Sequence, residues 1–369
     1  MHSIQAKATR FTNIKPHLNK AVLYIVALAI GSVLQSSDLP AQTNGDNSVN
    51  CFTYHRFGEE KYPSTSIDTD LFEQHLQFLD DNDYTVLTFG EAVDKLKSSE
   101  RIPEKTAVLT VDDGYRSFLT DAVPLLEKYD FPATVFLCTQ YVGNPGYLSW
   151  DDIRTLQDEG YEFGNHSHSH DHFLNDSDER TKEEFIKDLS QAEQSFQREL
   201  GYKPELYCYP YGEYNPDMQK ILKEKGYQAG TAQKSGVIYS GSELYALPRF
   251  PMNSKYGEIN KFRSKARMKA LPVLKVTPAN PEIKNTNPPR LTLHIDPGKI
   301  NADQIQCFVN GRKTCTVSRR QSNSQLVLTI QSEEKLQTRR TLYTITAPSA
   351  SGNNWFWYSH LWVNTQYGE

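Results

Sequence analysis

The sequence predicts an α/β domain followed by a small all-β sandwich. Three observations carry that prediction. Short apolar, β-branched runs end in carboxylates or histidines and give way to helix-forming segments, the alternation of a parallel sheet. From about Leu271 the texture changes: Pro272, Pro278, Pro281, Pro288 and Pro289 interrupt any helix, and short alternating segments take over. The chain's 369 residues, 38% of them hydrophobic and 23% charged, have the length and composition of two globular domains with ample apolar material for a core.

Taken in order, residues 21–34 form an uncharged, mostly apolar run preceded by Arg10, Lys15 and Lys20. It is too short for a span of about twenty residues. It reads as the apolar region of a signal peptide with cleavage after Ala41, or as an uncleaved N-terminal membrane anchor. Either way the protein is expected to be exported, with residues 1–48 as leader or anchor plus polar linker. Ala107-Val108-Leu109-Thr110-Val111 reads as a buried strand with Asp112 and Asp113 at its C-terminal end and Gly114 in the turn. A helix is expected to open at Asp121. Tyr161-Glu162-Phe163-Gly164 is a second short strand, running into Asn165 and the alternating His166, His168, His170 and His172.

Strand ends are where α/β folds gather chemistry. Two adjacent carboxylates and two histidines four positions apart can hold a divalent metal and leave one carboxylate free as a base, the composition of a hydrolytic site. Successive side chains on a strand point to opposite faces, so Asp112 and Asp113 cannot share a role unless the strand breaks there. Spacing alone does not choose among the histidine pairs. Residues i and i+4 share one face of a helical turn, which favours His166 with His170.

The C-terminal part offers strand-like segments at 290–295, 305–309, 326–330, 342–347 and 355–363, the pattern of an immunoglobulin-like sandwich over residues 290–369, reached through a connector at 256–289. In the last segment, alternation puts Trp355 and Trp357 on one face and Phe356 and Tyr358 on the other. One face is core; the other covers the first domain or stacks on sugars. Cys51, Cys138 and Cys208 fall in or beside core strands as buried thiols. Asn310-Gly311 signals a hairpin. A two-residue loop would set Cys307 opposite Thr314, and a three-residue loop would set it opposite Cys315, where export permits a disulfide. From residue 251 onward, 17 Lys and Arg face 7 Asp and Glu, while the whole chain carries −5. That basic part is a solvated connector or leans on anionic polymer. Nothing resembles a nucleic-acid module.

Asp112-Asp113-Gly114 and His166-Ser167-x-x-His170 resemble the first two motifs of the polysaccharide deacetylases, the chitin-deacetylase-like carbohydrate esterase family 4. The resemblance covers roughly residues 49–252. Ala133-Thr134-Val135-Phe136-Leu137 is similar to the family's second core strand, Leu148-Ser149-Trp150 leads the helix before the second motif, and Tyr209-Pro210-Tyr211-Gly212 resembles the third motif. Thr53-Tyr54-His55-Arg56-Phe57 and residues 72–89 resemble a bacterial branch acting on poly-N-acetylglucosamine-like polymers. The resemblance implies a distorted (β/α) barrel over 49–255 and a divalent metal, zinc, held by Asp113, His166 and His170. It further implies Asp112 as general base, the Tyr211 N–H at the oxyanion, and Ser167 bracing the histidine loop. The partner implied is a polysaccharide or oligosaccharide.

The departures matter equally. Cys208 stands where the family's third motif carries an arginine that orients the base. Leu247-Pro248-Arg249 stands where the fifth carries a histidine acting as acid, and arginine does not give up its proton at ordinary pH. Residues 231–237 show no fourth motif. Arg249 is therefore the expected cation beside the base, and His55, ending the first strand, is the expected acid or substrate contact. The expected reaction is removal of N-acetyl groups as acetate. An O-deacetylase using the same site and a glycan binder that keeps the metal are the alternatives.

Overall fold

The structure, a computed structural model, describes residues 47–175, 178–322 and 324–368. The leader or anchor expected at 21–34 lies outside them. Among the described residues no helix is long and apolar enough to cross a membrane. All the described residues fall in one compact unit.

Nine strands build a mainly parallel, curled sheet. Its path runs Ile238–Tyr239, Ser48–Tyr54, Thr106–Asp113, Thr134–Leu137, Glu162–Asn165, Leu206–Cys208 and Ala229–Thr231, with Thr85–Leu87 and Phe250–Pro251 joined at the side. The central strands are buried on both faces, which is why they read as continuous apolar runs rather than alternating ones. Leu109, Val111, Val135 and Leu137 pack outward under helices, joining Phe72 and Leu76 of the Thr69–Asp81 helix. Cys51, Val108, Phe136, Cys208 and Leu247 turn inward and fill the curl. The two ends of the path do not pair with each other, so the sheet is a half-barrel, a distorted version of the closed form.

Local chemistry sets the helix starts. Thr88 with Glu91, and Ser149 with Asp152, form reciprocal capping boxes. The helix expected from Asp121 begins later. Phe118–Ala122 makes a π turn, and the α-helix starts at Val123 with Pro124 in its first turn, where a missing N–H does no harm.

Two four-stranded sheets follow. One orders Lys269–Ala270, Trp355–Val363, Arg340–Pro348 and Gln306–Val309; the other orders Val273–Thr277, Arg290–Ile295, Gln325–Ser332 and Cys315–Ser322. They share a core that includes Leu291, Leu328, Tyr343, Ile345 and Trp362. The stretch 256–289, expected as a connector, is structured. Its Ile259–Ala266 helix lays Phe262 on Phe52 and on His75, with ring centroids 4.5 and 3.9 Å apart. The next residues enter both sheets. Val273–Thr277 buries only Val273 fully, and Cys315–Ser322 buries no residue fully, so neither edge strand shows the apolar alternation that marks a strand in sequence.

Val309 and Arg312 exchange backbone hydrogen bonds of 2.8 and 2.9 Å across Asn310-Gly311, a two-residue turn with both φ values positive. Cys307 is nevertheless bonded to Cys315, with Cα atoms 6.0 Å apart. The strands part directly after the turn and join different sheets, so the opposed pairing of Cys307 with Thr314 never forms. On the last strand Phe356 enters the sandwich core. Trp357 covers the nine-stranded layer, 5.7 Å from the Phe250 ring and donating to the Ser235 carbonyl at 3.2 Å.

Candidate functional site

The site forms where the Thr106–Asp113 strand runs out. Asp112 is still in register, opposite Phe136, and points into the curl with Val108 and Thr110. Asp113 then takes φ +71 and Gly114 φ +74, which turns the second carboxylate away from the first. Left-handed backbone at a non-glycine residue is disfavoured. It recurs at Ser167 (φ +72), His170 (φ +61) and Tyr211 (φ +58), all around one cleft.

The two aspartates meet different partners. Arg249 grips Asp112 with two parallel bonds, Nη1 to Oδ1 at 2.7 Å and Nη2 to Oδ2 at 2.8 Å. Arg249 Nη1 also donates to Thr110 Oγ1 at 3.0 Å, and Nη2 to Cys208 Sγ at 3.1 Å. The thiol thus occupies the space beside the guanidinium. Both members of the pair are buried. Burial works to raise the Asp112 carboxyl, but the Arg249 charge prevails and holds it at about 2. His55 Nε2 lies 3.8 Å from Asp112 Oδ2. Burial holds its imidazole below the ordinary value against the pull of Asp112.

Asp113 Oδ1 faces His166 Nε2 at 3.2 Å and His170 Nε2 at 3.3 Å. His166 Nδ1 lies 2.8 Å from the Cys208 carbonyl and donates to it, which fixes Nε2 as the nitrogen that faces the carboxylate. Asp113 Oδ1 is buried and accepts no well-formed hydrogen bond. An unsatisfied carboxylate oxygen and two imidazole nitrogens converging on one point, with ligand atoms all within 4.8 Å of one another, fit a divalent cation. Asp112, His166 and Cys208 meet the same distance test. There the carboxylate is already paired with Arg249, and burial pushes the thiol upward, away from the thiolate a metal takes.

The histidine loop is braced by its own side chains. Asn165 Oδ1 accepts from Ser167 N, and Ser167 Oγ accepts from His170 N, both at 2.8 Å. Asp188 of the long Asp178–Leu200 helix accepts from the His168 and Ser169 backbone at 2.7 and 2.8 Å. His168 turns to Thr139 Oγ1 at 2.9 Å, and His172 to Glu213 Oε2 at 3.4 Å, so neither joins Asp113.

The cleft above these groups encloses about 540 Å³. His55, Tyr211 and Arg249 line it, together with residues that sequence reasoning did not single out: Tyr115, Tyr141, Tyr147, Gln233 and Arg340. The three tyrosines make a continuous wall, with Tyr147 4.8 Å from Tyr115 and 5.2 Å from Tyr141, and the Arg56 guanidinium stands 3.4 Å from the Tyr115 ring centre. They sit on irregular segments joined by a bridge between Tyr115 and Tyr147, and no period in the sequence marks them.

The chain is 26% identical over 257 residues to the poly-beta-1,6-N-acetyl-D-glucosamine N-deacetylase of Staphylococcus epidermidis, spanning 61% of this chain and 89% of that one. It is 29% identical over 178 residues to YxkH of Bacillus subtilis, spanning 48% of this chain and 62% of that protein, under two thirds of its length. Its fold matches that of IcaB from Ammonifex degensii with a TM-score of 0.54 and 24% identity, over 60% of this chain and 98% of that one. Residues 99–230 match the family model for polysaccharide deacetylases. That match contains the strands and turns that present Asp112, Asp113, His166 and His170, and over this stretch the chain is similar to the polysaccharide deacetylases.

Proposed function

We propose that the protein is a metal-dependent N-deacetylase of an N-acetylglucosamine polymer, releasing acetate and leaving a free amine. The observation that carries this reading is the divergence of two adjacent carboxylates: Asp112 gripped by Arg249, Asp113 turned to two histidines. Asp113, His166 and His170 would hold the cation, and two imidazoles with one carboxylate suit zinc. When bound, such a cation polarises a carbonyl and makes water more acidic. Asp112 is the base. Arg249 keeps it ionised and fixes its plane, and it accepts the proton of the attacking water. Arg249 itself stays charged and orients rather than donates. The proton returns to the leaving amine from Asp112 or through His55. A neutral His55 beside Asp112 gives a proton only after receiving one. The Tyr211 N–H is assigned to the developing oxyanion.

The substrate class draws support from the Staphylococcus epidermidis relative and from the tyrosine wall, whose faces suit sugar rings. The Cys307–Cys315 disulfide supports an exported protein. The test is acetate release from β-1,6-linked N-acetylglucosamine oligomers, with chitooligosaccharides and acetylated xylan in parallel. Release from xylan alone would replace this reading with O-deacetylation, and release from none would remove it.

A further inference from the structure

The C-terminal layer reaches the cleft at the start of the Arg340–Pro348 strand, where Arg340 pairs with Val363. Arg339 and Glu213 are 5% and 3% exposed. They form a two-pronged pair, Nε to Oε1 and Nη2 to Oε2, both at 2.7 Å. Arg339 Nη1 also donates to Asn175 Oδ1 at 2.7 Å. Arg340 Nη1 adds a third bond to Glu213 Oε1 at 3.1 Å. Glu213 directly follows the turn Pro210–Gly212. Its other oxygen lies 3.4 Å from His172 Nδ1, and the His172 ring stacks on Tyr211 at 3.6 Å. The Arg340 guanidinium stands 5.3 Å from the Tyr211 ring centre and lines the cleft with Asp113 and His170.

A buried ion pair is a poor way to add stability, because desolvation consumes most of the attraction. What it adds is fixed geometry, and here it fixes the turn whose Tyr211 is held at φ +58. Arg340, with its side chain 31% exposed and in the cleft lining, can present N–H donors to a ligand, whereas buried Arg339 cannot.

We propose that the C-terminal layer completes the substrate site: Arg340 is a specificity-determining residue that donates to the oxygens of an N-acetylated sugar chain in the cleft, and Arg339, through Glu213, is the positioning residue that holds Arg340 and the Tyr211 turn. A planar fork of donors suits the carbonyl and hydroxyl oxygens of such a chain. The inference rests on reading the cleft as a glycan site.

The test separates binding from turnover. Asp112→Asn protein, which keeps the cleft but lacks the base, is titrated calorimetrically with an N-acetylglucosamine tetramer, with and without Arg340→Ala. Loss of one charged donor should weaken binding roughly 10–100-fold, with Arg340→Lys in between. In the active protein the same change should appear in KM, with kcat moved far less. Arg339→Gln should copy the KM effect although it lies outside the cleft, and melting temperature and zinc content are read alongside. Unchanged binding and KM in Arg340→Ala would overturn the contact. A lowered melting temperature with an unchanged KM in Arg339→Gln would overturn the positioning role. If the tetramer binds but unmutated protein releases no acetate from any polymer, the deacetylase reading falls while the Arg340 comparison still decides this one.

Discussion

Arg249→Ala removes the guanidinium that grips both oxygens of the Asp112 carboxylate. A carboxyl held at about 2 rather than 3.8 corresponds to roughly 2 kcal/mol of net stabilisation at neutral pH. That figure is what remains after burial has opposed the pairing. Without Arg249 only the weaker pull of His166 and His55 opposes burial, so the loss should exceed that figure, in the range of about 3–5 kcal/mol found for broken buried pairs. The sign of the pH dependence is fixed by the direction of the shift. A depressed carboxyl contributes stability above its unfolded value near 3.8, and that contribution disappears as pH falls through about 2. Urea unfolding of metal-free protein should therefore show a large gap between the parent and Arg249→Ala at pH 7 that narrows steadily below pH 4. Part of the gap is the cavity left by the side chain, and this part does not titrate. Asp112→Asn in the Arg249→Ala background should recover some stability, because a buried amide needs no cation. A gap equal at pH 7 and pH 3, together with additive single changes, would refute the charge argument and reduce Arg249 to packing.

Other outcomes follow from the same geometry. Asp112→Asn should retain zinc and lose roughly 10²–10⁴-fold in turnover, whereas Asp113→Asn should lose zinc; metal analysis beside acetate release distinguishes them. His166→Ala and His170→Ala should each lose zinc, while His168→Ala and His172→Ala keep it; zinc lost from His168→Ala would mean that the loop binds in another register. Gly212→Ala should abolish turnover and lower the melting point, because Gly212 sits at φ +72 with the Gln233 backbone nitrogen where a Cβ would go; a normal variant would show that the Tyr211 turn has slack.

The parts of the site legible in sequence are those where chemistry is contiguous. Asp112-Asp113-Gly114 and His166 to His170 are each a strand end and its turn, so residue type, break and spacing lie within a few positions. Arg249 is 137 residues from Asp112, and its role could be inferred only from a gap elsewhere, the cysteine at position 208. Arg340 is further still, on a strand of the other layer, and nothing local distinguishes it from the lysines and arginines around it. The same logic separates the strands. Runs buried on two faces, such as Thr106–Asp113, announce themselves, whereas edge strands such as Val273–Thr277 carry Leu274, Lys275 and Thr277 into solvent and read as linker. The disulfide needed knowledge of where two strands diverge, which is tertiary information.

The cysteines divide the molecule in a way open to experiment. The pair in the C-terminal layer is oxidised, and the three free thiols all lie buried in the catalytic layer. Burial pushes Cys51 and Cys138 up to about 12 and also raises Cys208. It is the thiolate that attacks an alkylating reagent, so in the closed protein these groups are almost inert. Each modification event then records one excursion of its own strand into solvent. Cys51 times the Ser48–Tyr54 strand and Cys138 the end of the Thr134–Leu137 strand, on the far side of Thr106–Asp113. Cys208 lies directly beneath the Asp112–Arg249 pair and counts how often the floor of the catalytic cleft comes undone. An oligosaccharide seated in the cleft should slow the third stopwatch most.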